Sequence, residues 1–305
     1  LVGSEMCIRD RIWDVLDEKI QEEPGAFLSA INSYATRKKN IRIYLLIDEY
    51  DNFTNTILST YGTEFYRKAT HGEGFIRGFF NVIKSATTGT GAALERLFIT
   101  GVSPVTMDDV TSGFNIGTNI TNDSWFNDLV GFSENELREM LEYYKEQGVL
   151  QESIDEIVAM MKPNYDNYCF SEDTLEQCMF NSDMALYFLK SFVLHHKKPK
   201  EIVDPNIRTD FNKLAYLIKL DHGLGENFSV IKEIAEQGEI ITDIVTHFSA
   251  LEMTDPSNFK SLLFYFGLLS IKGVDMVGRP ILHVPNLVVS CLLYTSPSPR
   301  DGLLS

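Results

Sequence analysis

An apolar, β-rich run that stops on two carboxylates constrains the fold of this 305-residue chain more than any other feature. Residues 41–47 are almost uniformly apolar, which is typical of a parallel strand buried on both faces. A helical pattern follows over residues 64–85, and a second apolar stretch lies at residues 94–100. Parallel strands need a long crossover between them, so this order predicts an open α/β sheet in which Leu45, Ile47 and Phe98 are buried.

Polar residues follow the first predicted strand at its carboxyl end, where ligands bind in open α/β sheets. Asp48 and Glu49 come directly after the strand. The first carboxylate can accept hydrogen bonds from waters bound to a Mg²⁺ ion, and the second can orient or deprotonate an attacking water. Adjacent strand residues point to opposite sides, so we assign Asp48 to the metal and Glu49 to the water. The alternative is that the two acids only open a solvated loop.

Thr100 and Ser103 follow the second predicted strand in the same way. A polar side chain there can sense a γ-phosphate or the attacking water, although Thr and Ser also end many strands without a role in binding. The sequence contains no phosphate-cradling G-x-x-x-x-G-K-[ST] motif, because none of its glycines precedes a lysine. The chain is therefore predicted to carry the acidic part of a nucleotide site without its phosphate-binding loop.

The two ends of the chain are related to each other as opposite strands of one DNA sequence. One back-translation of CLLYTSPSPRD, residues 291–301, has a reverse complement that encodes LVGSEMCIRD, residues 1–10. That DNA resembles a transposase-type sequencing adapter. We therefore predict that residues 1–11 and 291–305 are adapter-derived, make few long-range contacts, and flank an internal fragment of a longer gene.

The predicted secondary structure is expected to change near Gly131 from mixed strands and helices to mainly helices. Residues 12–131 form the predicted α/β part, and residues 132–290 form a mainly helical region. Ser133 and Glu136 have the spacing of a capping box, which predicts a helix start. Further helical patterns cover residues 154–161, 183–194, 212–219, 229–237 and 259–266, with a strand-like tail at 268–272.

Composition excludes several classes of protein. A formal charge of −16 and a pI near 4.8 argue against nucleic-acid binding by this fragment, because such binding relies on a basic face. No apolar run reaches the roughly 18 residues of a membrane span, and no signal peptide is visible, so we predict a soluble, cytoplasmic protein. The spacing of Cys169 and Cys178 fits no zinc or redox motif.

Several blocks of the chain, taken in order, resemble the predicted AAA-ATPase-like family of bacterial proteins over residues 41–286. The blocks are YLLIDEYDN, RLFITGVSPVTMDDVTSGFNIGTNIT, GFSENELREMLEYY, MKPNYDNYCF, MFNSDMALYFL and TDPSNFKSLLFYFGLLSI. The family is similar to P-loop ATPases of the additional-glutamate division. The resemblance therefore implies a partial P-loop NTPase parallel sheet that lacks its phosphate-loop unit and is followed by a mainly helical region.

The resemblance also implies which residues would bind and hydrolyse a nucleotide. Asp48 and Glu49 match a Walker B pair, residues 100–103 match a sensor region, and ATP and Mg²⁺ are the expected substrate and cofactor. The family often carries a C-terminal nuclease-like domain of the PD-(D/E)XK type, which this sequence lacks along with the Walker A loop. Two functions stay open: an ATP-hydrolysing module, or a nucleotide-gated module that binds a protein partner with negligible hydrolysis.

Overall fold

A computed structural model describes residues 24–37, 41–88, 92–104, 107, 109, 116–204, 226–253 and 255–294. Its contacts divide the chain into two compact units. The first comprises residues 1–118 with 247–251, and the second comprises residues 119–246 with 252–305. No helix among the described residues is both long and apolar enough to cross a membrane.

The first unit contains a two-stranded parallel sheet. Helix α1 (Pro24–Arg37) precedes strand β1 (Ile43–Ile47), which pairs in parallel with β2 (Leu94–Ile99). Two helices, α2 (Asn52–Thr70) and α3 (Phe75–Thr87), form the crossover between the strands. The predicted strand, helical crossover and parallel strand are thus present, and the described chain has a mixed α/β architecture.

The crossover is two helices and not the single helix predicted for residues 64–85. A turn between α2 and α3 contains Gly72, whose φ of +59° is a left-handed conformation that glycine adopts without steric cost. At Gly74 a Cβ atom would overlap the Ala69 carbonyl group, so glycine also permits the close approach of the two helices. Helix α2 begins well before the predicted start and is interrupted at Gly62, which has φ +78°.

Helix α3 covers one face of the sheet. Its buried residues Ile76, Phe80 and Ile83 belong to a hydrophobic core against which Leu45 and Ile47 are packed and partly buried. Apolar residues at helical spacing make one stripe of α3 hydrophobic, and burial of that stripe stabilises the unit.

The opposite face of the sheet is exposed, and the prediction of a strand buried on both faces is wrong. Tyr44 is 66% exposed, Leu46 is 75% exposed, and Phe98 on β2 is 42% exposed instead of internal. Side chains alternate across a strand, so a core that forms on one face leaves every second residue of β1 in solvent.

The second unit contains most of the described helices. They are α4 (Glu134–Glu146), α5 (Ile154–Tyr165), α6 (Ser182–His195), α7 (Glu226–Gln237), α8 (Pro256–Tyr265) and α9 (Leu287–Tyr294). The predicted capping box opens α4: the Glu136 N–H donates to Ser133 Oγ at 3.2 Å, and the Ser133 N–H donates to Glu136 Oε2 at 2.8 Å. The helix predicted at residues 212–219 lies outside the described residues.

A three-stranded antiparallel sheet also lies in the second unit. Its strands are β3 (Glu239–Ile241), β4 (Ser270–Val274) and β5 (Pro280–His283), in the order β3-β5-β4. The sequence predicted only a strand-like tail at residues 268–272. Strands of three to five residues are too short to show a clear alternation, and β5 begins at a proline, which argues against a central strand.

Part of the C-terminal segment packs against the second unit. Residues 291–294 form the last turn of α9, Leu293 is buried, and Leu292 contacts the hydrophobic core. The expectation of few contacts is therefore wrong for these residues, because the helix that begins at Leu287 continues through them and their leucines extend its apolar surface. Residues 1–11 and 295–305 lie outside the described residues.

Candidate functional site

The carboxyl ends of β1 and β2 lie side by side and continue as two paired loops. The Thr100 N–H donates to the Ile47 carbonyl at 2.8 Å, and the Tyr50 N–H donates to the Thr100 carbonyl at 3.0 Å. The parallel ladder thus extends past both strands, which brings the residues that follow them to one edge of the sheet.

Asp48 and Thr100 meet at this edge. The Thr100 hydroxyl donates a hydrogen bond to Asp48 Oδ1, which also accepts from the Glu49 N–H at 3.0 Å. Asp48 is exposed, and its Oδ2 receives no hydrogen bond from the described residues. The arrangement holds a solvent-facing carboxylate in one orientation beside a hydroxyl group, and its second oxygen is available to a ligand.

Glu49 lies in a tight turn with a left-handed backbone. Its φ is +51°, which is uncommon for a residue other than glycine, and its Oε2 accepts from Asn52 Nδ2 at 3.0 Å. Strained backbone of this kind is concentrated at functional sites. Strand β1 ends at Ile47, so this turn, and not the strand alternation assumed from the sequence, sets the direction of the Glu49 side chain.

Ser103 contacts the side chain of Asp51. It is buried, its N–H donates to Asp51 Oδ2 at 3.1 Å, and its hydroxyl lies 3.4 Å from the same oxygen. Among the described residues, the Ser103 hydroxyl is therefore directed at Asp51 and not at Asp48 or Glu49. The sequence analysis missed Asp51, because the helix that begins directly after it was predicted to start only at residue 64.

Tyr50 joins the two loops a second time. Its hydroxyl donates to the Ser103 carbonyl, and its ring passes over Gly101. A Cβ atom at position 101 would overlap this ring and would lie 2.8 Å from Asp51 Oδ1. Only glycine leaves room for this contact.

We expect Gly101→Ala to lower the free energy of unfolding by about 1–3 kcal/mol, because the added methyl forces the Tyr50 ring to move. Gly78→Ala is the matched control. Gly78 is exposed on α3 with open space around its Cβ position, so the same change should raise stability by about 0.5–1 kcal/mol. Urea unfolding followed by circular dichroism measures both. If Gly101→Ala changes the free energy of unfolding no more than Gly78→Ala does, the Tyr50 contact does not constrain the loop.

A buried cluster anchors the chain after β2 to helix α2. Tyr66 is fully buried, and its hydroxyl donates to Asp109 Oδ2 at 2.7 Å. His71 Nε2 lies 3.8 Å from Asp109 Oδ1. These contacts join the segment beyond Ser103 to the helix that begins directly after Asp51.

Cys169 and Cys178 are not reactive thiols. Burial raises the pKa of the Cys169 thiol, and burial with neighbouring charges raises that of Cys178 to about 11. Both thiols therefore stay protonated near neutral pH and are poor nucleophiles. Across the described ranges, no group of three or more His, Cys, Asp or Glu residues could hold a metal ion.

Comparison with known proteins finds one family model that matches part of the chain. The family model described as predicted AAA-ATPase matches residues 4–111, which confirms the resemblance over this part of the chain. The matched range includes β1, β2 and the loops that follow them, and it takes in residues 4–11 of the segment predicted to be adapter-derived. No curated protein and no solved structure matches the chain.

Proposed function

We propose that this chain carries the metal-binding and water-activating half of an ATP-hydrolysing site that belongs to a longer protein. The observation that carries the proposal is the contact of Asp48 with Thr100 at the carboxyl ends of two parallel strands, with Glu49 next to it. The match of residues 4–111 to a predicted AAA-ATPase supports the assignment of ATP as the nucleotide.

Asp48 is the residue that would hold Mg²⁺, through a water molecule. Mg²⁺ keeps most of its hydration shell in nucleotide sites and needs one or two carboxylates together with phosphate oxygens. A single carboxylate with one oxygen fixed by Thr100 and the other available fits this requirement, whereas a cage of several acids is not needed. When bound, the ion would offset the negative charge of the phosphates.

Glu49 is the residue that would orient the attacking water and accept its proton. The hydrogen bond from Asn52 to Oε2 fixes the carboxylate, and Oε1 can accept the proton. Thr100, whose hydroxyl is bound to Asp48, connects the metal side of the site to the second strand. Together, these residues would position a nucleophile and a cation, which is the main task in phosphoryl transfer.

The phosphate-binding half of the site is proposed to lie in a segment outside this sequence. Backbone N–H groups and a lysine around the β- and γ-phosphates supply most of the affinity of such sites for ATP. Asp48 and Glu49 are anionic and repel a nucleotide that has no metal. The chain alone is therefore expected to bind ATP only weakly and only with Mg²⁺.

We expect Asp48→Asn, in the complete protein, to raise the Mg²⁺ concentration needed for half-maximal ATP hydrolysis by about tenfold or more. The amide preserves the size of the side chain but removes the charge that attracts the hydrated ion. A Mg²⁺ titration of phosphate release measures the effect, and binding of a fluorescent ATP analogue reports nucleotide affinity separately.

The exposed residue Asp128 provides the control, since Asp128→Asn makes the same chemical change in the second unit, whereas Asp48 belongs to the first. Its Mg²⁺ titration should match that of the unaltered protein. An unchanged Mg²⁺ requirement in Asp48→Asn would contradict the proposed metal role.

A further inference from the structure

We propose that Asp51 is the positioning residue of this site: its buried carboxylate holds the loop after β2 so that Thr100 stays on Asp48. The inference rests on the proposed ATP hydrolysis and adds to it a residue that acts through the loop that carries Thr100.

Asp51 is buried and bound on both carboxylate oxygens. It is only 1% exposed, its Oδ1 accepts from the Val102 N–H at 3.1 Å, and its Oδ2 accepts from the Ser103 N–H at 3.1 Å. The Asn55 Nδ2 group and the Ser103 hydroxyl also donate to Oδ2, at 3.2 Å and 3.4 Å. Hydrogen bonds from N–H groups to an ionised acid are stronger than those between neutral groups, so this carboxylate fixes two consecutive peptides of the loop.

The position of Asp51 in α2 shows that its carboxylate is not used as a helix cap. Asp51 is the N-cap residue of α2, where an aspartate ordinarily accepts from an N–H of the first helical turn. Here the side chain makes no capping bond and is directed instead at Val102 and Ser103, 51 and 52 residues further along the chain. Helix α2 therefore lacks a capping hydrogen bond from Asp51, and the carboxylate links the two loops instead.

The loop held by Asp51 is the one that orients the metal carboxylate. Thr100 lies two residues before Val102, and its hydroxyl fixes Oδ1 of Asp48. Tyr50 contributes a parallel link through its hydroxyl to the Ser103 carbonyl. Loss of the Asp51 carboxylate would leave the Val102 and Ser103 N–H groups without their acceptor and allow Thr100 to shift relative to Asp48.

Three substitutions separate positioning from helix capping. Asp51→Ser retains a good N-cap residue, but its side chain is too short to accept from both loop N–H groups. Asp51→Asn is also a good N-cap residue and keeps one acceptor oxygen. Asp51→Ala removes both the capping group and the acceptor for the loop. In the complete protein we expect kcat to fall by about tenfold or more in the Ser and Ala variants and by less in the Asn variant, with KM for ATP within about twofold throughout.

A second measurement uses this 305-residue chain by itself and needs no ATP hydrolysis. Amide hydrogen exchange at Val102 and Ser103 should become about tenfold faster or more in Asp51→Ser, whereas exchange in the middle of α2 should be unchanged. A capping role predicts a different result: because Ser is also a good N-cap residue, exchange at the loop amides and kcat would both remain as in the unaltered protein.

The outcomes distinguish this inference from the proposed function. Normal kcat in Asp51→Ser, in a protein whose turnover depends on Glu49, would overturn only the role of Asp51. A raised KM with unchanged kcat would also overturn it, because the residue would then act in ground-state binding. Turnover that is independent of both Asp48 and Glu49 would overturn the proposed function itself.

Discussion

Glu49→Gln is expected to lower the ATP turnover of the complete protein by about 10²-fold or more while ATP binding is retained. Glutamine has the size of glutamate and can still accept a hydrogen bond at its amide oxygen, but it cannot take a proton from water. It also leaves the charge of Asp48 in place, so the proposed metal position is unaffected. Steady-state phosphate release measures turnover, and equilibrium binding of a fluorescent ATP analogue measures affinity.

Glu73→Gln is the matched control for this experiment. Glu73 is exposed in the turn between α2 and α3, so the same chemical change should leave turnover unaltered. If Glu49→Gln leaves turnover unaltered too, Glu49 is not the base. If the unaltered protein binds ATP but scarcely hydrolyses it, the nucleotide-gated alternative gains support over the enzyme.

Phe188→Ala is expected to lower the free energy of unfolding by about 3–5 kcal/mol. Phe188 is buried in α6, stacks on Phe192 with ring centroids 5.5 Å apart, and meets the Tyr165 ring edge-on at 5.9 Å. The substitution removes a large apolar side chain and leaves a cavity between two rings that cannot close without moving both helices. Urea unfolding followed by circular dichroism measures the change.

The control for this core substitution is Leu194→Ala, in the last turn of the same helix. Leu194 is largely exposed, so its truncation should change stability by no more than about 0.5 kcal/mol. A similar, small loss in both variants would show that the aromatic cluster does not stabilise the second unit.

The strand pair and its acidic end were predictable because their signals are local. An apolar run, a helical crossover and a second apolar run define a parallel pair, and the carboxyl ends of parallel strands meet at one edge. Asp48 and Thr100 are in contact for this reason, although 52 residues separate them. The start of α4 was also predictable, since Ser133 and Glu136 bind each other within one turn.

Features that depend on tertiary packing could not be predicted in this way. The sequence of β1 is apolar at every position and does not reveal that Tyr44 and Leu46 are exposed while Leu45 is packed. The role of Asp51 was hidden because its partners, Val102 and Ser103, are backbone N–H groups, which every residue except proline possesses. The three-stranded sheet was missed because its strands are short and because β3 pairs with the distant strand β5, with Ile241 opposite Ile281.

The left-handed backbone at Glu49 lowers the stability of the fold at the residue that is proposed to accept the proton. Glycine, and to a lesser degree asparagine, adopts this conformation more readily than glutamate, so selection for stability alone would favour a side chain that cannot accept a proton. Aspartate also tolerates the conformation, but its carboxylate reaches one methylene less far from the turn. Given the proposed role of Glu49 as the base, a substitution that relaxes the turn would remove the proposed hydrolysis and leave the proposed metal position at Asp48 in place.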